Sequence, residues 1–440
     1  MLSEVDFRLL PGGSLNGECR VPGDKSISHR AIMLGSIASG RSCIHGFLEA
    51  EDAIATLHAF KAMGVAIKGP DRGVVEIEGR GLFGLQAPKQ PLDLGNSGTS
   101  MRLLCGLLSG QPFDSVLVGD RSLSRRPMQR VIQPVAAMGG KIDASEHGTA
   151  PLVVRGGRRL SGIDYQLPMA SAQVKSCLLL AGLYANGNTC VTEPAVTRDH
   201  TERMLQGFSY PVSRNGSKVC VKGQGCLIAA DLDIPADISS AAFFMVGACI
   251  APHSDLVLRH VGINPTRTGI IDILKRMGAQ IELRNPRDVG GEPVADIRVK
   301  SSELSGIEIP EAYVPLAIDE FPVLFVAASC AKGRTVLTGA RELRVKESDR
   351  IQVMLEGLLA LGIDAVATDD GMIIQGGQLR GGTIVSHDDH RIAMAFSIAA
   401  LRAKDPILIR DCANVNTSFP GFVETARLLG LKISCDRTRQ

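Results

Sequence analysis

Lys25, Arg126, Lys346 and Arg391 each stand near the start of a helix in a repeated unit, and cations at helix starts are suited to holding anions. Free backbone N–H groups and the positive end of the helix dipole meet there, so such ends attract carboxylates and phosphates. One end contributes about 1 kcal/mol, whereas micromolar binding takes about 8 kcal/mol. Several ends and several cations must therefore converge on a bound anion. Lys25 and Arg30 flank Ser26, Arg102 follows Gly98 and Thr99, and Arg391 follows Asp389 and His390. Arg126, just before Pro127, and Arg198 fall where a second helix of a repeat should begin, as do Lys346 and Arg350 in RVKESDR. RVKESDR and DDHRIAM place acids and bases directly before an apolar helix, which costs stability unless the charges pair or bind something.

The elements that position these residues recur six times. A small polar start leads into a strongly apolar helix, then a turn, a β-rich strand, a charged loop and a second, amphipathic helix. The apolar helices are read at Asp24–Gly40, Asn96–Gly110, Ala170–Gly187, Asp237–His253, Asp319–Gly333 and Asp388–Ala403, with starts about 65 to 80 residues apart. Five repeats close on KAMGVAI, AAMGGKI, KRMGAQI, ALGIDAV and LLGLKI, and QGFSYPV is a weaker third copy. The period is too long for a solenoid and suits a compact α/β unit. Six copies suggest two pseudo-symmetric halves of three, with a boundary near Leu232 to Asp237.

Composition excludes other classes. The 440 residues balance 48 Lys and Arg against 46 Asp and Glu, a net charge of +2, so no global field would hold a nucleic acid or an acidic membrane. There is no tryptophan and only 4% of residues are aromatic, so stacking platforms for single strands are missing. The eleven scattered cysteines form no Cys-x-x-Cys pair and read as small buried hydrophobes of a reducing compartment. MLSEVDFRLL has neither a basic leader nor an apolar core, and no apolar run approaches the ~20 residues of a spanning helix, so a cytoplasmic protein is expected.

Gly79, Gly81 and Gly84 match G-x-G-x-x-G, but Pro88 and Pro91 follow where the dinucleotide fold needs a helix. PGDKS lacks the upstream glycine of a phosphate loop. No histidine pair has metal-ligand spacing, and His29, His45 and His200 read as structural. Neither a metal nor an organic cofactor is expected.

PGDKSISHR (Pro22 to Arg30), LGNSGTSMR (Leu94 to Arg102), RRPM (Arg125 to Met128), SAQVKS (Ser171 to Ser176), RVKESDR (Arg344 to Arg350) and DDHRIAM (Asp388 to Met394) together resemble the 5-enolpyruvylshikimate-3-phosphate synthase family nearly end to end. SAQVKS and TRDHTE are similar to its class II branch, whose members tend to tolerate the inhibitor glyphosate. The resemblance implies a two-domain inside-out α/β barrel of the enolpyruvyl transferase type, with six α/β units, three per domain. It implies a C-terminal domain of residues 1–20 plus 237–440, an N-terminal domain of residues 21–236, and an active site in a cleft between them. The implied enzyme is a monomer of the shikimate pathway acting on two small molecules, with no nucleic-acid or membrane partner.

By motif, the resemblance assigns shikimate 3-phosphate to Lys25, Ser26, Arg30, Ser171, Ala172, Gln173 and Arg198, with Asp319 and Lys346 at its hydroxyls. It assigns phosphoenolpyruvate to Lys25, Gly98, Arg126, Gln173, Arg350 and Arg391. Asp319 is then the candidate base for the attacking hydroxyl, and Glu347 and Lys25 are candidate donors to the methylene carbon. One departure stands at Thr417, where some members carry a lysine. The rival readings are an enolpyruvyl transferase acting on a UDP-amino sugar, and a catalytically dead phosphoanion-binding protein. Against the first, GDRSLSRRPM (Gly119 to Met128) lacks that group's reactive cysteine; against the second, mere anion binding would not need Asp319 and Glu347.

Overall fold

The apolar runs become the helices that fill the interior. A computed structural model describes residues 4–438; Met1–Ser3, part of the stretch read above for a leader, and Arg439–Gln440 lie outside the described residues. The first helices of the six repeats are α1 (Lys25–Ile37), α3 (Gly98–Ser109), α5 (Ala172–Gly182), α7 (Ile238–Ile250), α10 (Phe321–Cys330) and α12 (His390–Ala399). All thirteen residues of α7 and all ten of α12 are buried, as expected of helices apolar all round. The second helices are α2 (Glu51–Ala62), α4 (Gln129–Ala137), α6 (His200–Gly207), α8 (Gly269–Arg276), α11 (Arg350–Ala360) and α13 (Phe422–Leu429), and a short α9 (Val314–Ala317) precedes α10. They are amphipathic: α4 buries only Val131, Pro134 and Val135.

The second helices end alike. Gly64, Gly139, Gly278, Gly362 and Gly430 take φ of 85°, 95°, 101°, 80° and 116°, the left-handed conformation that stops a helix and redirects the chain into a strand. These are the glycines of the five strong repeat endings. In the weak third copy the left-handed residue is Ser209, at φ 60°.

Each repeat carries a small open sheet, and the chain forms six of them. In five, a strand pairs parallel with the one that follows the first helix, and two antiparallel strands complete the ladder. Leu232–Asp233, Ser39–His45, Val74–Arg80 and Ala66–Asp71 are one such set. In the fifth repeat the parallel partner shrinks to isolated bridges, Ser305 to Lys332 and Glu308 to Val336. In the sixth, the strand Glu4–Leu9 inserts between Ile407–Arg410 and Ile433–Thr438, so a segment from the start of the chain completes a sheet made at its end.

The described residues divide into two compact units. One comprises Gly23–Ile234 with Asp288–Glu292, and the other residues 4–22, Pro235–Arg287 and 293–438. In the first, α3 packs on both α1 and α5; in the second, α7, α10 and α12 pack on one another. Each has its own apolar core. Assigning the whole of 237–440 to one domain fails at Asp288–Glu292. Glu292 is buried there, its Oε1 lying 2.7 Å from Nδ1 of the buried His200.

The cysteine reading also needs correction. Cys190 and Cys220 lie directly opposite on adjacent antiparallel strands, with Cα atoms 4.1 Å apart, and are joined as a disulfide. Facing residues at a narrow point of a ladder already hold their side chains close enough to bond, a relation that spacing along the sequence does not display. The other nine are free thiols, and burial pushes several up, Cys105 and Cys249 to about 12. Among the described residues no helix is long and apolar enough to cross a membrane.

The helices α3 and α5 approach each other tightly at Gly106, where a Cβ would lie 2.0 Å from the backbone oxygen of Cys177. Backbone cannot yield as a side-chain tip can, so Gly106→Ala should lower unfolding stability by about 2–3 kcal/mol. An unchanged urea midpoint would show that the two helices are not held this tightly.

Candidate functional site

In the unit built on Gly23–Ile234, three helix starts present cations and polar groups. Asp24 caps α1, accepting from Ile27 N at 2.9 Å, and so leaves Lys25 and Ser26 at the first turn. Lys25 Nζ pairs with Asp52 Oδ2 at 3.0 Å while remaining partly exposed. One turn on, Arg30 is 4% exposed; its Nε donates to Thr201 Oγ1 at 2.7 Å, Nη2 to Ser176 Oγ at 2.8 Å and Nη1 to the Ser26 carbonyl at 2.9 Å. Burial, offset in part by Glu202 and Asp24, brings its guanidinium down to about 10.

Ser97 caps α3, and Gly98 follows. A Cβ on Gly98 would stand 3.0 Å from Arg126 Nη1 and 3.1 Å from Arg102 Nη1, so the absence of a side chain leaves both guanidiniums room at this helix start. Arg126 Nη2 donates to Asn96 Oδ1 at 2.6 Å, and Asn96 donates in turn to Asp120 at 2.6 Å. Ser171 caps α5. Gln173 links α5 to α3, accepting from Arg102 Nη1 at 2.7 Å and donating to Thr99 Oγ1 at 3.1 Å. Lys25, Ser26, Arg30, Gly98, Arg126, Ser171, Ala172, Gln173 and Arg198 all belong to this unit.

A buried histidine braces the same region. His29 Nδ1 lies 2.7 Å from Thr56 Oγ1 and 3.2 Å from Ser100 Oγ, joining α1, α2 and α3. Burial, then the charges of Lys25 and Arg30, lower its pKa from 6.5 to about 3. The ring is thus neutral and adds no charge to the cation cluster.

In the other unit a guanidinium is enclosed by carboxylates. Arg350, 1% exposed, donates from Nε to Asp389 Oδ2 at 2.9 Å, from Nη2 to Glu347 Oε2 at 2.6 Å and from Nη1 to Asp319 Oδ1 at 3.4 Å. Burial works against its charge, but Asp389, Glu347 and Asp319 more than reverse this and hold its pKa above the usual arginine value. Asp319 also faces Lys346 Nζ at 3.5 Å. Asp389 caps α12 by accepting from Arg391 N at 3.0 Å, and Arg391 Nη1 donates to the Asp319 carbonyl at 3.0 Å. Asp319, Lys346, Glu347, Arg350 and Arg391 are thus one cluster. At the late departure, Thr417 is buried and donates to the Asn414 carbonyl at 2.7 Å.

Asn96, Asp52, Asp389, Ser176 and Thr201 were missed as members of these clusters. Asp389 carried a signal as the cap of an apolar helix; Asp52, 27 residues from Lys25, carried none. Among the described residues no group of three or more His, Cys, Asp or Glu is placed to hold a metal ion.

The neutrality of His29 has a signed consequence. Its folded pKa lies below the unfolded value, so the unfolded chain binds more protons between about pH 3 and 6.5, and stability falls as pH drops through that window. His29→Asn should flatten the acid limb of stability against pH, and the His29 ring resonances should stay those of neutral imidazole at pH 5. A ring titrating near 6.5 would contradict this environment.

The family profile described as EPSP synthase (3-phosphoshikimate 1-carboxyvinyltransferase) matches residues 9–426. The chain is 67% identical over 430 residues to the 3-phosphoshikimate 1-carboxyvinyltransferase of Methylococcus capsulatus, covering 98% of each chain. It is 66% identical over 431 residues to that of Alkalilimnicola ehrlichii, covering 98% of this chain and 97% of the relative. A solved EPSP synthase from Acinetobacter baumannii superposes with a TM-score of 0.89 at 57% identity, covering 98% of this chain and all of the other. The enolpyruvyl transferase NikO from Streptomyces tendae, at 17% identity and a TM-score of 0.81 over 99% of this chain and all of that one, shares the fold.

Proposed function

Because the chain belongs to the EPSP synthase family, we propose that the two clusters described above are the two parts of its catalytic machinery. The reaction is transfer of the enolpyruvyl group of phosphoenolpyruvate to the 5-hydroxyl of shikimate 3-phosphate, giving 5-enolpyruvylshikimate 3-phosphate and phosphate in the shikimate pathway. Lys25, Ser26, Arg30, Ser171, Ala172, Gln173 and Arg198 hold shikimate 3-phosphate, and Asp319 and Lys346 meet its hydroxyls. Lys25, Gly98, Arg126, Gln173, Arg350 and Arg391 hold phosphoenolpyruvate. Arg350 reaches its substrate by exchanging Asp319, its longest carboxylate contact at 3.4 Å, for the incoming anion.

Asp319 takes the proton of the 5-hydroxyl as that oxygen bonds to C2 of phosphoenolpyruvate, while Glu347 or Lys25 delivers a proton to the methylene carbon. The product of this step is a tetrahedral ketal phosphate. Loss of a methyl proton and of phosphate then regenerates the double bond, with Lys25, Arg126, Lys346 and Arg391 stabilising charge on the departing phosphate. The observation that carries these roles is the Asp319–Lys346–Glu347–Arg350 cluster: two of the three candidate proton carriers, Asp319 and Glu347, share one buried guanidinium, which fixes them relative to each other. The enzyme acts as a cytoplasmic monomer with no nucleic-acid or membrane partner, and sedimentation of the purified chain at one subunit mass is the expected result.

Asp319→Ala should lower turnover at saturating substrates by about 10²–10⁴-fold, and near-normal turnover would remove Asp319 from the role of base. In equilibrium titrations with shikimate 3-phosphate present, Arg126→Ala and Arg391→Ala should each weaken phosphoenolpyruvate by at least about tenfold. Affinity equal to the wild type would displace these arginines from the site.

A further inference from the structure

Arg30 and Lys175 are both buried, a few residues apart in space through Ser176, and they are stabilised in opposite ways. Lys175, fully buried, has two carboxylates: Glu193 Oε1 at 2.6 Å and Glu202 Oε1 at 2.7 Å. Among the described residues Arg30 has no carboxylate at ion-pair distance. Its three hydrogen bonds go to the Ser26 carbonyl and to the Ser176 and Thr201 hydroxyls, all neutral. A buried charge served only by neutral oxygens is held at a cost that a bound anion would relieve.

The two hydroxyls are themselves fixed. Thr201 Oγ1 donates to Ser176 Oγ at 2.7 Å, and both residues are fully buried. Ser176 lies on α5 next to Lys175, and Thr201 lies on α6 next to Glu202, so the Lys175–Glu202 pair clamps the helices that carry the hydroxyls. Glu193 extends the clamp. Its Oε2 accepts from Thr197 N at 2.9 Å and from the Thr197 hydroxyl, setting the loop that presents Arg198. One buried set of side chains thus ties together the start of α5, the loop at Arg198 and the guanidinium of Arg30.

We infer that Thr201 is a positioning residue for the phosphate-bearing substrate: with Ser176, and braced by the Lys175–Glu193–Glu202 triad, it holds Arg30 in place for the phosphate group without neutralising it. The design follows from charge. A carboxylate in the position of Thr201 would orient Arg30 equally well but would compete with the phosphate, whereas a hydroxyl orients the guanidinium and leaves its charge for the ligand. This inference rests on the assignment of Arg30 to shikimate 3-phosphate.

The test compares wild type, Thr201→Val, Thr201→Ser and Ser176→Ala in steady-state kinetics and in direct calorimetric titration with shikimate 3-phosphate. Thr201→Val should raise both KM and Kd for shikimate 3-phosphate by about tenfold, the effect expected for one hydrogen bond to a charged group. Its KM for phosphoenolpyruvate and its kcat at saturation should move by less than about twofold. Thr201→Ser should restore most of the loss, and Ser176→Ala should shift affinity the same way, so the inference stays testable if Thr201→Val folds poorly. It is overturned if Thr201→Val lowers the melting temperature but leaves affinity for shikimate 3-phosphate unchanged. It is also overturned if Thr201→Ser is no better than Thr201→Val, or if both KM values rise together. A failure of the underlying assignment would look different: Arg30→Ala would then bind shikimate 3-phosphate as tightly as wild type.

Discussion

The structure depends on how positive charge is kept inside the protein. A guanidinium or ammonium taken out of water must be compensated, and three buried cations are compensated in three ways. Arg350 is compensated fully, by three carboxylates that it also orders. Lys175 is compensated by two glutamates and serves as a fastening inside its own unit. Arg30 is hydrogen-bonded only to neutral dipoles, and the charges of Glu202 and Asp24, beyond ion-pair distance, offset only part of its burial. This gradation separates Lys175, a charge spent on holding its own unit together, from Arg30, whose charge is left for a ligand, and Arg350 stands between them because its contact with Asp319 is long enough to be exchanged for an anion.

Around these cations the remaining features follow. First helices that are apolar all round bury themselves wherever their starts point, so the cations at those starts are carried with them. Neutral His29 shows the same economy: a polar group is used to join α1, α2 and α3, and its environment keeps it from adding charge. Gly98 gives room to Arg102 and Arg126 where any side chain would press on both.

Much of this was legible in the sequence because it is periodic. The six helix starts, the five glycine endings and the weakness of the third ending all follow from local pattern, and Ser209 in the left-handed region is what makes that third ending look different. The individual cations were legible too, standing beside small residues at caps. What could not be read was pairing between distant segments. Thr201 reaches Arg30 across 171 positions, and Cys190 bonds Cys220 through a register that only the folded sheet supplies. Glu292 opens the strand Glu292–Lys300 but is buried against His200, a partner 92 positions away that no local pattern points to.

The strand Glu4–Leu9, lodged between Ile407–Arg410 and Ile433–Thr438, bears on the order in which the protein can be made. Apart from five residues, the unit built on Gly23–Ile234 is contiguous and can condense while the ribosome is still reading the second half of the message. The unit that contains the first strand cannot. Its sixth sheet lacks the edge strand Ile433–Thr438 until residue 438 has been released, and until then the strand Glu4–Leu9 waits with one side of its backbone unpaired.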